Sequence, residues 1–138
     1  MRTSIILLAL TAPSVLAAEE PKSEAGTQFI ERCLKDVSEN RIANLKSRAP
    51  EYAASLSDEE LLAGGMRTAR KTCPCFLQII AVDNTSSLET PEERVRDFVD
   101  YLGKIETEQA VSIPAALPKL TRLCGVSSAV LPSSWISQ

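Results

Sequence analysis

Four cysteines, Cys33, Cys73, Cys75 and Cys124, constrain this 138-residue chain more than any other feature, because a single proline separates two of them. In a small exported chain an even set of cysteines is oxidised into bridges. Joining Cys73 to Cys75 would close a very small, strained ring that restricts the unfolded chain little, which leaves two connectivities. Each of them ties Cys33 and Cys124 to the Cys73-Pro74-Cys75 segment. Residues two apart in a helix are turned about 200° from one another. If the segment is helical, its two sulfurs face nearly opposite sides, one toward an N-terminal element and the other toward a C-terminal one. Loops of about 40 to 50 residues then contribute roughly 4 kcal/mol per bridge on the chain-entropy picture, a large share of a small domain's net stability.

The N-terminus supplies the export that oxidation needs. Met1-Arg2 is followed by the apolar run Ile5-Ile6-Leu7-Leu8-Ala9-Leu10 and then by small residues. With Val15 at minus three and Ala17 at minus one, residues 1–17 read as a secretory signal peptide cleaved after Ala17. The apolar run is shorter than the ~20 residues of a spanning helix and is interrupted by Pro13, so no membrane insertion is expected after cleavage. The expected compartment is the periplasm or the outside of the cell. About 120 residues are left, enough for one domain with a modest core.

Composition then removes function classes. Losing Arg2 takes the formal charge from −3 to −4, which argues against nucleic acid or an anionic membrane surface as partner. The chain has no histidine, hence neither the commonest general base nor an imidazole for Ser/His and Cys/His nucleophiles or zinc sites. No cofactor is implied. The acidic pairs Glu59-Glu60 and Glu92-Glu93 stand in first helical turns, where the helix dipole favours negative charge, and read as caps rather than as catalytic carboxylates.

Residues 18–26, rich in Glu, Lys, Pro, Ser and Gly, read as a flexible lead-in to a single helical domain over 27–138. From Thr27, apolar residues Phe29, Ile30, Cys33, Leu34 and Val37 recur at helical spacing. This helix ends near Asn40 or runs on through Ile42 and Leu45, and Pro50 stops it in either case. Ser57-Asp58-Glu59-Glu60 is a capping box. Behind it Leu62, Met66, Ala69, Cys73, Phe76 and Ile80 form an apolar seam, strained by Gly64-Gly65 and by Pro74, which either bends one helix or begins a second. Asp83 to Ser87 is a turn, with a glycosylation sequon at Asn84-Thr85-Ser86 that acts only in a eukaryotic source. Thr90-Pro91-Glu92-Glu93 starts another helix, through Val95, Phe98, Val99, Leu102 and Ile105. A weaker one runs from Pro114 to Cys124, with Gly125 placed to end it. No stretch alternates as a half-buried strand would. The fold expected is all-α, a bundle of four to five short helices stapled by two disulfides.

Two function classes follow. The first is a non-catalytic exported module that binds another protein, such as a periplasmic inhibitor or immunity protein. Its candidate contact residues are the basic trio Arg67, Arg70 and Lys71, and Trp135 with Ile136, which either fold back over the core or are offered to a partner. The second takes Cys73 and Cys75 as a thiol redox pair or as ligands for a soft metal such as copper(I), with the basic trio lowering thiol pKa values.

The Phe29-Ile30-Glu31-Arg32-Cys33 helix, followed forty residues on by Cys73-Pro74-Cys75-Phe76, resembles small exported bacterial helical proteins with a Phe-x-x-x-Cys helix and a later Cys-x-Cys helix. The proline between the cysteines is a departure from that pattern. The resemblance implies a periplasmic or secreted helical domain and carries no activity with it.

Overall fold

The computed structural model describes residues 23–83, 90–109 and 111–136. Residues 1–17, read above as a signal peptide, and the sequon at Asn84 lie outside them. Five α-helices run in the order α1 (Glu24–Arg48), α2 (Pro50–Ala54), α3 (Asp58–Val82), α4 (Pro91–Glu106) and α5 (Leu120–Leu123), and the described residues contain no strand. The chain is thus all-α, with the two disulfides in place.

The first helix begins earlier than its periodicity predicts. Ser23 caps it, its hydroxyl accepting from the Gly26 amide at 3.0 Å, and Ala25 is buried. Residues 23–26 are therefore the cap and first turn of α1 rather than a flexible lead-in; small residues bury without leaving an apolar pattern. Lys46 and Arg48 occupy the last turn, where cations suit the dipole. Pro50 ends the helix by forcing Ala49 out of helical geometry, to φ −137° and ψ 62°, and then serves as the first residue of α2.

Pro74 lies inside a single continuous α3 and does not begin a new helix. It sits on the exposed face of the helix beside an exposed Arg70, so the carbonyl it deprives of an N–H partner is open to solvation. Ser57 caps this helix, its hydroxyl accepting from the Glu60 amide at 3.1 Å. The seam differs from the predicted one at its start. Leu61 and Gly65 face inward, whereas Leu62 is 54% exposed. The reason is close approach: a Cβ on Gly65 would stand 2.8 Å from the Ser38 carbonyl oxygen of α1, so glycine sets which face of α3 meets α1.

The full capping box forms at α4, with Thr90 and Glu93 exchanging side-chain-to-backbone bonds of 3.2 and 3.1 Å. The C-terminal region is more broken than the single helix predicted over 114–124. It comprises a 3₁₀ turn at Leu117–Lys119, the short α5, and Gly125 at φ 63° closing the helix. Further 3₁₀ turns at Ser128–Val130 and Ser133–Trp135 carry the chain back across α1 and α4.

Candidate functional site

The sulfurs are committed to structure. Cys33 bridges to Cys73 and Cys75 to Cys124. Cys73 faces inward and is fully buried, while Cys75, two residues on, is half-buried and reaches α5, as the turn between them requires. Bridged sulfurs hold no thiolate. Neither Cys73 nor Cys75 can attack a disulfide or ligate a soft metal in this state, and the thiol reading loses its two residues.

The second pair of candidates, Trp135 and Ile136, divides. Trp135 is fully buried. Its ring stands 5.7 Å from that of Phe98, 6.0 Å from Phe29 and 6.1 Å from Phe76, so it closes a triangle drawn by α4, α1 and α3. The indole N–H donates to the Asp36 carboxylate at 2.7 Å, and the Tyr101 hydroxyl donates to the Trp135 carbonyl at 2.7 Å. On α1, Asn40 and Asn44 donate to the Ala129 carbonyl at 2.9 and 3.0 Å. Trp135 is therefore a core residue and is removed from the partner-contacting set; Ile136, beside it, stays 48% exposed.

Asp36 is the polar centre of this end. Besides the indole, it accepts from Arg32 Nε at 2.7 Å, and Arg32 also donates to Glu106 at 2.8 Å. Partial burial by itself would lower the Arg32 pKa. The hydrogen bonds and charges of Asp36 and Glu106 outweigh it, so the guanidinium is held above its ordinary value. Burial alone pushes the Tyr101 phenol up. No buried side-chain polar atom of this cluster lacks a partner, which marks it as a structural clasp.

A different surface remains open. Where α1, α2 and the start of α3 meet, a groove of about 490 Å³ has an apolar bed that includes Ile42, Leu45, Leu56 and Leu61, with Gly64 and Gly65 along one wall. Arg41 and Arg67 stand on its rim with Tyr52 and Glu60. Arg41 and Leu45 also line a smaller depression of about 180 Å³ that reaches Val130 and includes Arg48. The four ion pairs among the described residues are Arg32–Asp36, Arg32–Glu106, Arg96–Glu92 and Lys119–Asp83. None involves Arg41, Arg48 or Arg67.

Of the predicted basic trio only Arg67 borders the groove; Arg70 and Lys71 continue from it along the exposed face of α3. The residues missed were Arg41, Arg48 and Tyr52. The available signal was the set Arg41-Ile42-x-x-Leu45-x-x-Arg48 in the second half of α1, where cations and apolar residues alternate at helical spacing. A further depression of about 420 Å³ between α4 and residues 111–116 mixes cations and carboxylates on its walls. There Arg94 donates to the Ala81 carbonyl at 2.8 Å and so serves the end of α3.

Among the described residues there is no cluster of three or more potential metal ligands and no helix long and apolar enough to cross a membrane. Comparison with protein-family models, with curated proteins and with solved structures finds no match.

Proposed function

We propose that the chain is a non-catalytic module, exported to the periplasm or beyond the cell, that works by binding another protein. One observation carries this reading: an arginine-rimmed, apolar-bedded groove lies open on a scaffold that is cross-linked twice and whose buried side-chain polar atoms all have partners among the described residues. A rigid surface with unspent cations and apolar area suits recognition, because little ordering entropy is lost on docking. Two further points support it. The lack of histidine removes the usual acid–base and nucleophile systems, and two bridges suit an oxidising compartment. The resemblance to exported bacterial helical proteins agrees with that compartment.

The test places a photo-crosslinking residue at Tyr52, at Arg67 and, as a control on the far helix, at Gly103, in cells that export the chain. Expected is a discrete protein adduct from Tyr52 and Arg67 and none from Gly103, followed by a stoichiometric complex of the two purified proteins. Mature protein beginning at Ala18 in the exported fraction is expected alongside. Absence of any adduct overturns the binding reading. So does a turnover activity that falls when serines or carboxylates are substituted. Free thiols at Cys73 and Cys75 in a non-reducing peptide map would return the redox or copper reading.

A further inference from the structure

From the groove at the α1–α2–α3 elbow we infer the chemistry of what it holds: an extended or helical segment of a partner protein in which an apolar side chain is flanked by carboxylates. This deepens the binding reading and rests on it.

Three arginines, Arg41, Arg48 and Arg67, surround one apolar bed, and the only carboxylate lining either depression is Glu60. The formal charge of the whole chain is −3, so this concentration of cations runs against the composition. Elsewhere Arg32, Arg96 and Lys119 each have a carboxylate within 3.4 Å, whereas Lys35, Lys46, Arg70, Lys71, Lys104 and Arg122 are exposed and lie outside this groove. The groove arginines have no such carboxylate among the described residues. A planar guanidinium matches a carboxylate through two parallel N–H donors, which makes arginine the residue suited to bidentate recognition of acidic side chains.

The bed selects against the other anionic partners. Leu45 lies between Arg41 and Arg48 and Tyr52 stands 59% exposed at the edge, so within the groove the cations frame an apolar slot, while Arg70 and Lys71 extend the basic row from Arg67 along α3. A nucleic-acid backbone needs a continuous basic stripe and gains nothing from the slot. A bilayer surface needs a convex or flat face, and this one is concave. An apolar side chain in the slot with carboxylates reaching Arg41 and Arg67 uses both features. Glu60 lines the same groove and repels a ligand carboxylate placed beside it.

The probe is a display library of random twelve-residue peptides, panned against the mature, disulfide-intact protein. Enriched peptides are expected to place Asp or Glu within a few residues of Leu, Ile or Phe. Synthetic versions should lose affinity about tenfold or more with Arg41→Glu and again with Arg67→Glu, since a charge-assisted hydrogen bond contributes about 1.5–3 kcal/mol and 1.4 kcal/mol is tenfold. Arg67→Lys should lose less than Arg67→Glu, and Glu60→Gln should tighten binding a few-fold. All three positions are exposed, so the four variants should keep the parent's circular dichroism and both bridges. Enriched peptides without acidic bias, affinities indifferent to the arginines, or no enrichment at all overturn the inference. So does arginine-dependent binding of phosphatidylglycerol vesicles or a single-stranded oligonucleotide in place of the peptides. If the crosslinked partner engages a different face, the module reading stands and this assignment falls.

Discussion

At the end of the α1–α3 pair where Cys33 meets Cys73, Phe29, Phe76, Phe98, Tyr101 and Trp135 pack into one cluster with neighbouring ring centroids 5.7–6.1 Å apart. At the other end the chain's one remaining aromatic residue, Tyr52, lies 59% exposed. The interior there is made of Ala53, Leu61 and Gly65. Both ends belong to the same two helices. One end has spent its large side chains on itself and closed over them with the C-terminal tail; the other has kept the helices close with glycine and left its larger groups outside. Stability and, on the proposed reading, recognition are thus built from different residues, and a substitution at one end need not disturb the other.

The comparison is broken most severely at Trp135. Trp135→Ala should destabilise by about 3–5 kcal/mol from the cavity alone. It also takes a donor from the buried Asp36 carboxylate, a loss of about 1–3 kcal/mol more. Against the 5–15 kcal/mol typical of small domains, this variant should be largely unfolded or close to it. Trp135→Phe separates the two contributions, since it keeps most of the ring packing and loses the indole donor. Urea midpoints for the pair check both. If Trp135→Phe is as stable as the parent, the hydrogen bond to Asp36 contributes nothing and the clasp is packing alone.

The buried bridge comes next. Cys33→Ala with Cys73→Ala frees a loop spanning 40 residues, and the chain-entropy account puts the loss near 4 kcal/mol. The Cys75–Cys124 bridge spans 49 residues, so the same account gives it a similar figure. Their accessibility differs, however. Cys33 and Cys73 are fully buried, whereas Cys75 and Cys124 are each half-buried. Graded reduction followed by alkylation and mass mapping should therefore open Cys75–Cys124 first, with the aromatic end still folded. Simultaneous opening would mean that the two ends unfold as one unit.

How much of this was written in the sequence depends on how local each signal is. The cysteine framework and the cap at Thr90-Pro91-Glu92-Glu93 are short-range patterns, and both are found in the structure. The two connectivities left open differ only in which way a helix is rotated, and that is fixed by packing rather than by spacing. The inward face of α3 was misplaced because the residue that decides it, Gly65, carries no hydrophobic signal. Asp36 and Trp135 are 99 residues apart, and nothing near Asp36 marks it as the partner of an indole. The groove was half legible. Arg67 stood out in α3, but the surface exists only once Arg41 and Arg48 are brought alongside by the antiparallel pairing.

The two adjacent glycines give a smaller effect with a sharp sign. Gly65→Ala would place a methyl 2.8 Å from the Ser38 carbonyl oxygen and 3.2 Å from its Cα, backbone atoms that cannot swing aside. The helices must separate, at a cost of about 1–3 kcal/mol. At Gly64 the nearest atom is the far end of Arg67, 3.6 Å away, so Gly64→Ala is sterically free and should stabilise by up to about 1 kcal/mol through helix propensity. Thermal midpoints moving in opposite directions would establish that the open end is held by close helix approach at one position only. A loss at both would extend the tight contact along the groove wall.

The smallest effect is read at alkaline pH and belongs to the aromatic end. Burial holds the Tyr101 phenol above its ordinary value of 10.0. The folded chain thus keeps a proton that the unfolded chain gives up, and where the unfolded state binds fewer protons stability falls as pH rises. This contribution is fully present below about pH 10 and is lost as pH climbs through the raised folded value. The informative quantity is the difference between the parent and Tyr101→Phe. At neutral pH the variant should be weaker by about 1 kcal/mol for the lost bond to the Trp135 carbonyl. Above pH 10 its urea midpoint should fall less steeply, bringing the two curves together. Parallel curves would mean that the phenol ionises without penalty, which requires the tail around Trp135 to lift away before the rest of the cluster opens.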